Sequence, residues 1–160
     1  MQTVLGDAFD YAVNVCQIPG SDFAKLFSAS SVCARIELGE PLYLAGRSGI
    51  EVLLDVLYET TGSEPTIEVC ERLGRSQEYW IGWVLAYCQW RSCRSFADIL
   101  AAVSYEELES LYPTLHEADV SKAADVIGAR LRERFPETNL KRLRMVRGCT
   151  QAELARDAGV

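Results

Sequence analysis

The chain has little of what metal sites and catalytic clusters are built from. Its 160 residues hold one histidine, His116, and two methionines. Six cysteines are present, at positions 16, 33, 70, 88, 93 and 149, but no two form a C-x-x-C pair. A zinc site needs Cys and His at short, clustered spacing, so no metal and no cofactor are expected. No Gly-rich phosphate loop is present either. Gly46-Arg47-Ser48-Gly49 is too short and lacks the lysine that such a loop places on phosphate. Five prolines and eleven glycines leave no room for long disordered tracts. No apolar run reaches membrane length. The opening MQTVLGDAFDYAV carries Asp7 and Asp10 and no basic residue, unlike a signal peptide. These absences predict a cytoplasmic protein whose thiols stay reduced and act as small buried hydrophobes.

What the chain does have is apolar content: 49% of residues, against 24% charged. That supports one domain of good size, or one domain with a small second unit. Charge is unevenly spread. Residues 1–129 hold 8 Lys+Arg against 19 Asp+Glu, a net of −11, whereas residues 130–160 hold 8 against 4, a net of +4. An acidic body with a basic tail signals a partner, because the tail can approach phosphate and the body is repelled by it.

Periodicity predicts helices nearly throughout and no strands, so the fold class is all-α: a compact multi-helix body. Leu5, Phe9, Ala12, Val13 and Cys16 recur at helical spacing over Thr3 to Cys16, and Pro19-Gly20 ends that unit. Ser21 is placed as the cap of a short helix holding Phe23, Leu26 and Phe27. Another short helix is expected over Ser31 to Leu38. Ser48 with Glu51, and Ser104 with Glu107, read as capping boxes. Gly62 closes the first of those two helices, and Tyr112-Pro113 is expected to end the second. Thr66 with Val69 and Leu73 predicts one more short helix. A long helix is expected from about Val120 to Phe135, with Pro136 breaking it.

The most apolar stretch is SQEYWIGWVLAYCQWRSC, residues 76–93, capped by Ser76. It is apolar on most sides, as the central helix of a bundle is. Trp80, Trp83, Tyr87 and Trp90, with Tyr79, make an aromatic stripe. Such a stripe reads as core, with a partner- or ligand-binding face as the alternative. Arg91 and Arg94 flank Cys93 and could activate its thiol, but they are read instead as cations at a helix C-terminus, placed to suit the dipole. His116-Glu117-Ala118-Asp119 places a histidine beside carboxylates, and is read as a capped helix start on the surface. No cluster of chemistry supports an enzyme.

PETN, residues 136–139, is the expected linker, lying near where the charge changes sign. The chain therefore divides into a helical body over 1–135, for partner binding or dimerisation, and a partial unit over 137–160. In that second unit Leu140, Leu143 and Val146 share one helical face, with Lys141, Arg142, Arg144 and Arg147 around them. Gly148 ends the helix. Then comes T-Q-x-E-L-A-x-x-x-G-V, carried by Thr150, Gln151, Glu153, Leu154, Ala155, Gly159 and Val160.

This segment resembles the opening of a Cro/repressor-type (Xre-type) helix-turn-helix domain, over residues 139–160 only. The resemblance implies that Ala155 is small because the next helix crosses close to it. It implies further that Gly159 makes the turn, and that Leu143, Leu154 and Val160 hold the unit together. In such domains the helix after the turn reads bases in the major groove. Residues 139–160 hold the first two helices and stop before that one. The basic residues, with Thr150 and Gln151 at a helix N-terminus, would then supply phosphate contacts without base readout. The implied protein is a DNA-binding transcriptional regulator of which these residues form the N-terminal portion. Its partners would be duplex DNA, a second copy of itself, and a protein held by the acidic body, as antitoxins hold toxins. The alternative is a stand-alone helical interaction module with no DNA role. A weaker echo of the same motif lies at residues 21–41, and is read as a helical corner that packs.

Overall fold

Helix α1, Gln2–Asn14, lies between α4, Gly49–Thr61, and α5, Gln77–Ser92, in a computed structural model of the chain. The structure describes residues 1–63, 65–67 and 75–136, together with Gly148, Thr150 and Arg156. Helices α2, Gly20–Ala29, and α3, Ser31–Glu37, cover α4, and a π-helical turn at Leu42–Gly46 follows them. On its other side α5 carries α6, Phe96–Ala102, α7, Tyr105–Leu115, and α8, Val120–Arg134. The described residues are all-helical, with no strand, and form one multi-helix body. None of their helices is long and apolar enough to cross a membrane.

Local chemistry sets the helix ends. Ser48 and Glu51 form the full reciprocal capping box, and so do Ser104 and Glu107. Ser76 and Ser95 cap α5 and α6 through their hydroxyls. Gly62 closes α4 with a left-handed φ of 69°, a conformation that costs glycine least. Two helices are also capped from a distance. The Glu59 carboxylate accepts from the Ser31 N–H at the start of α3, and Glu37 accepts from the Phe96 N–H at the start of α6, each at 2.6 Å. A carboxylate there satisfies an orphan donor and meets the positive end of the helix dipole.

Several expectations are corrected. Helix α2 starts at Gly20, with Pro19 rather than Ser21 in the capping position. Its glycine is required by space, because a Cβ on Gly20 would collide with the Tyr105 ring. Helix α7 runs through Pro113 to Leu115. The last turn survives the proline because the His116 N–H still reaches the Tyr112 carbonyl at 3.0 Å, and the Thr114 hydroxyl donates to the Leu111 carbonyl at 3.0 Å. His116 therefore follows the end of α7, and the expected capped helix start falls at Asp119, which caps α8. The short helix expected around Thr66, Val69 and Leu73 lies largely outside the described residues.

The aromatic core is also not where the tryptophans are. Phe9 of α1, Phe23 and Phe27 of α2 and Phe96 of α6 are fully buried, packed edge-to-face at 4.9 Å for Phe9–Phe23 and 5.1 Å for Phe27–Phe96. Helix α5 gives the core Ile81, Val84 and Leu85 instead. The reason is the close approach of α1, which meets α5 at Gly82 and leaves no depth there for an indole. Residues 21–41 pack as expected of a corner. Phe23, Ala24, Phe27, Val32, Cys33 and Ile36 are all buried, and one residue, Ser30, joins the two helices.

Candidate functional site

The start of α5 carries a capping hydroxyl and two large rings, Trp80 and Trp83, that are only partly buried. Ser76 accepts from the Tyr79 N–H at 3.0 Å and donates to the buried Asp10 carboxylate of α1. Asn14 ties the same region together, donating to Asp10 at 2.9 Å and to Glu78 at 3.0 Å. This polar seam fixes the start of α5 against α1. It thereby fixes the direction in which Trp80 and Trp83 leave the helix.

Those two rings wall a cavity of about 270 Å³ whose other sides are Arg75, Tyr79, Tyr112, His116, Ala118 and Val120. Trp80 meets Tyr112 edge-to-face at 5.6 Å. Tyr112 in turn stacks on His116 at 4.5 Å, an i, i+4 pair at the end of α7. Tyr79, also in the lining, stacks on Trp83 at 5.9 Å. The Arg75 guanidinium lies over both, 5.0 Å from the Tyr79 ring and 5.2 Å from the Trp83 ring. His116 is oriented by its own helix, with Nδ1 2.9 Å from the Tyr112 carbonyl oxygen, and its Nε2 lies 3.7 Å from Glu117.

Burial pushes the Tyr79 hydroxyl above the usual phenol range, against the pull of Arg75. Burial likewise raises the Asp7 carboxyl, helped by Asp10 and opposed by Arg75. The arrangement is a half-enclosed aromatic slot with one arginine, Arg75, in its lining. It can sort ligands by shape and by charge.

The aromatic stripe expected on α5 therefore splits. Trp80 and Trp83 are brought together with α7, whereas Tyr87 and Trp90 sit further along the helix, 6.1 Å from each other, with Trp90 69% exposed. Arg75, Tyr112 and His116 complete the cavity and were not grouped by sequence reading. The i, i+4 spacing of Tyr112 and His116 was the available signal, hidden by treating Pro113 as the end of the helix.

Of the residues expected to contact DNA, Thr150 is described and exposed, while Lys141, Arg142, Arg144, Arg147 and Gln151 lie outside the described residues. So do Leu143, Leu154, Ala155, Gly159 and Val160. Gly148 takes φ 65°, a left-handed conformation that costs glycine least. Among the described residues no group of His, Cys, Asp and Glu could hold a metal ion. Cys33 and Cys88 are buried free thiols, whereas Cys93 is exposed at the end of α5. Comparison with family models, with curated proteins and with solved structures gives no match.

Proposed function

We propose that this chain is a DNA-binding transcriptional regulator acting in the cytoplasm. Residues 1–135 form its partner-binding or dimerising body, and residues 137–160 open its DNA-contacting unit. One observation carries the reading: the T-Q-x-E-L-A-x-x-x-G-V run from Thr150 to Val160 lies within residues 130–160, of net charge +4, which follow residues 1–129, of net charge −11. Among the described residues the buried core runs from Leu5 to Leu131, with Phe135 packed against it. In this reading Lys141, Arg142, Arg144, Arg147, Thr150 and Gln151 take phosphates. A homodimer sets two such units on paired half-sites, and the acidic body holds a basic protein partner in the manner of an antitoxin. The protein is then no enzyme.

The second reading, a helical interaction module without a DNA role, is favoured by the aromatic cavity and by Trp90, which leave large rings on the surface of the body. The length of the native product separates the two. The codons after Val160, checked against the intact mass of the expressed protein, should continue for about thirty residues or more with a polar-tipped recognition helix. A stop immediately after Val160 would leave the body alone to carry the function.

A further inference from the structure

We infer that the cavity walled by Trp80, Trp83, Tyr112 and His116 is a binding site for a small, singly charged, planar aromatic anion whose carboxylate is taken by Arg75. The inference concerns residues 75–120 and stands whether or not residues 139–160 touch DNA.

Four observations carry it. The first is that the rings are placed at a cost. The chain buries Phe9, Phe23, Phe27 and Phe96 completely, yet leaves Trp80, Trp83 and Tyr112 only partly covered around a void. Apolar surface kept open in a concave site is the usual signature of a ligand. The second is shape. Two stacked or edge-to-face pairs, Tyr79–Trp83 and Trp80–Tyr112, line the cavity, so a flat ring entering it meets mostly aromatic surface. At about 270 Å³ the void is smaller than drug-sized sites of roughly 300–1,000 Å³, which limits the ligand to one or two fused rings.

The third is charge. Arg75 lies with its guanidinium over the Tyr79 and Trp83 rings. Stacking occupies the face of a guanidinium and leaves its N–H edge to take a carboxylate side-on. Asp7 feels that positive charge, but among the described residues no carboxylate pairs directly with it. The exposed Glu117 carboxylate lies 3.7 Å from His116 and does not line the cavity. The fourth is the field of the body. Net −11 over residues 1–129 repels anions at longer range, increasingly so with ligand charge. A single carboxylate carried on apolar rings suffers least from that field and gains most from the slot. A cation would instead meet Arg75 in the lining.

The test uses three bicyclic probes of similar size: 2-naphthoate, its neutral carboxamide, and the cation 2-naphthyltrimethylammonium. Binding to the full chain is followed by isothermal calorimetry and by quenching of tryptophan fluorescence. We expect 2-naphthoate to saturate the site below about 1 mM and the cation not to compete. Arg75→Gln, on an exposed residue, should weaken 2-naphthoate about tenfold or more, the scale of one charged hydrogen bond, and leave the carboxamide unchanged. Trp83→Leu should weaken both probes, with far-UV circular dichroism reporting that α5 still forms. If Trp83→Leu fails to fold, Arg75→Gln alone decides. No binding of 2-naphthoate at about 10 mM, equal binding to Arg75→Gln, or tighter binding of the cation would each overturn the proposal.

Discussion

Gly6 and Gly82 face each other where α1 crosses α5. A Cβ on Gly82 would stand 2.9 Å from the Gly6 Cα and closer still to the Leu5 carbonyl oxygen. The body is assembled around this backbone-to-backbone contact, because α1 joins α4 on one side to α5 on the other. Gly82→Ala must push the two helices apart, and interiors resist that. It should cost roughly 1–3 kcal/mol or more, seen as a lower midpoint in urea denaturation. Gly128, within α8, is the control. A Cβ there meets only the Arg132 guanidinium at 3.4 Å. Gly128→Ala should therefore stabilise the chain by up to about 1 kcal/mol through helix propensity. Equal effects of the two substitutions would contradict the close crossing.

The Glu59 carboxylate holds the start of α3 from 28 residues away, accepting from the Ser31 N–H and from its hydroxyl at 2.8 Å. These bonds hold the Glu59 carboxyl below its ordinary value. A group whose pKa is lowered by folding adds stability above its unfolded pKa and loses it as pH falls through the folded one. Stability should therefore decline as pH falls below about 4.5, the ordinary glutamate value. Glu51 and Asp119, also lowered by capping bonds, act in the same direction. Glu59→Ala should cost about 1 kcal/mol at neutral pH, the scale of one helix cap, and should flatten the acid limb of a stability-against-pH curve. An unchanged acid limb would remove Glu59 from that role.

The thiols should react in order of exposure. Burial pushes the Cys88 thiol up to about 12, and burial beside Glu37 pushes Cys33 well above its ordinary value. Cys93 is exposed, in a left-handed backbone of φ 52°. Only the thiolate is nucleophilic. Iodoacetamide at neutral pH, mapped by mass spectrometry, should label Cys93 in the folded chain and reach Cys33 and Cys88 only after denaturation. Early labelling of Cys88 would show that α8 does not cover it.

The helical plan was legible because capping chemistry is local. Ser48, Ser76, Ser95 and Ser104 each start a helix with their own hydroxyl, and Gly62 ends one. Distant partners were not legible. No spacing rule connects Glu59 to Ser31 or Glu37 to Phe96, and none shows that α1 would touch α5 through glycines. The misreading of the α5 stripe has the same root. A helix apolar on most sides looks equally buried everywhere in sequence, and only the position of α1 decides that Ile81, Val84 and Leu85 go inward while Trp80 and Trp83 turn toward α7. Half of the cavity was visible as the tryptophans. Its other half, Tyr112 and His116, depended on α7 continuing past Pro113, which tertiary packing and the last-turn hydrogen bonds allow.

The measurement that tests the account most directly is the affinity of the native-length gene product for duplex DNA as a function of salt. Four to six phosphate contacts predict that log K falls with log[salt] with a slope of about −4 to −5. Neutralising Lys141, Arg142, Arg144 or Arg147 singly should reduce that slope by about one each. A product that ignores duplex DNA at low salt, or binds it with no dependence on salt, would contradict the regulator reading.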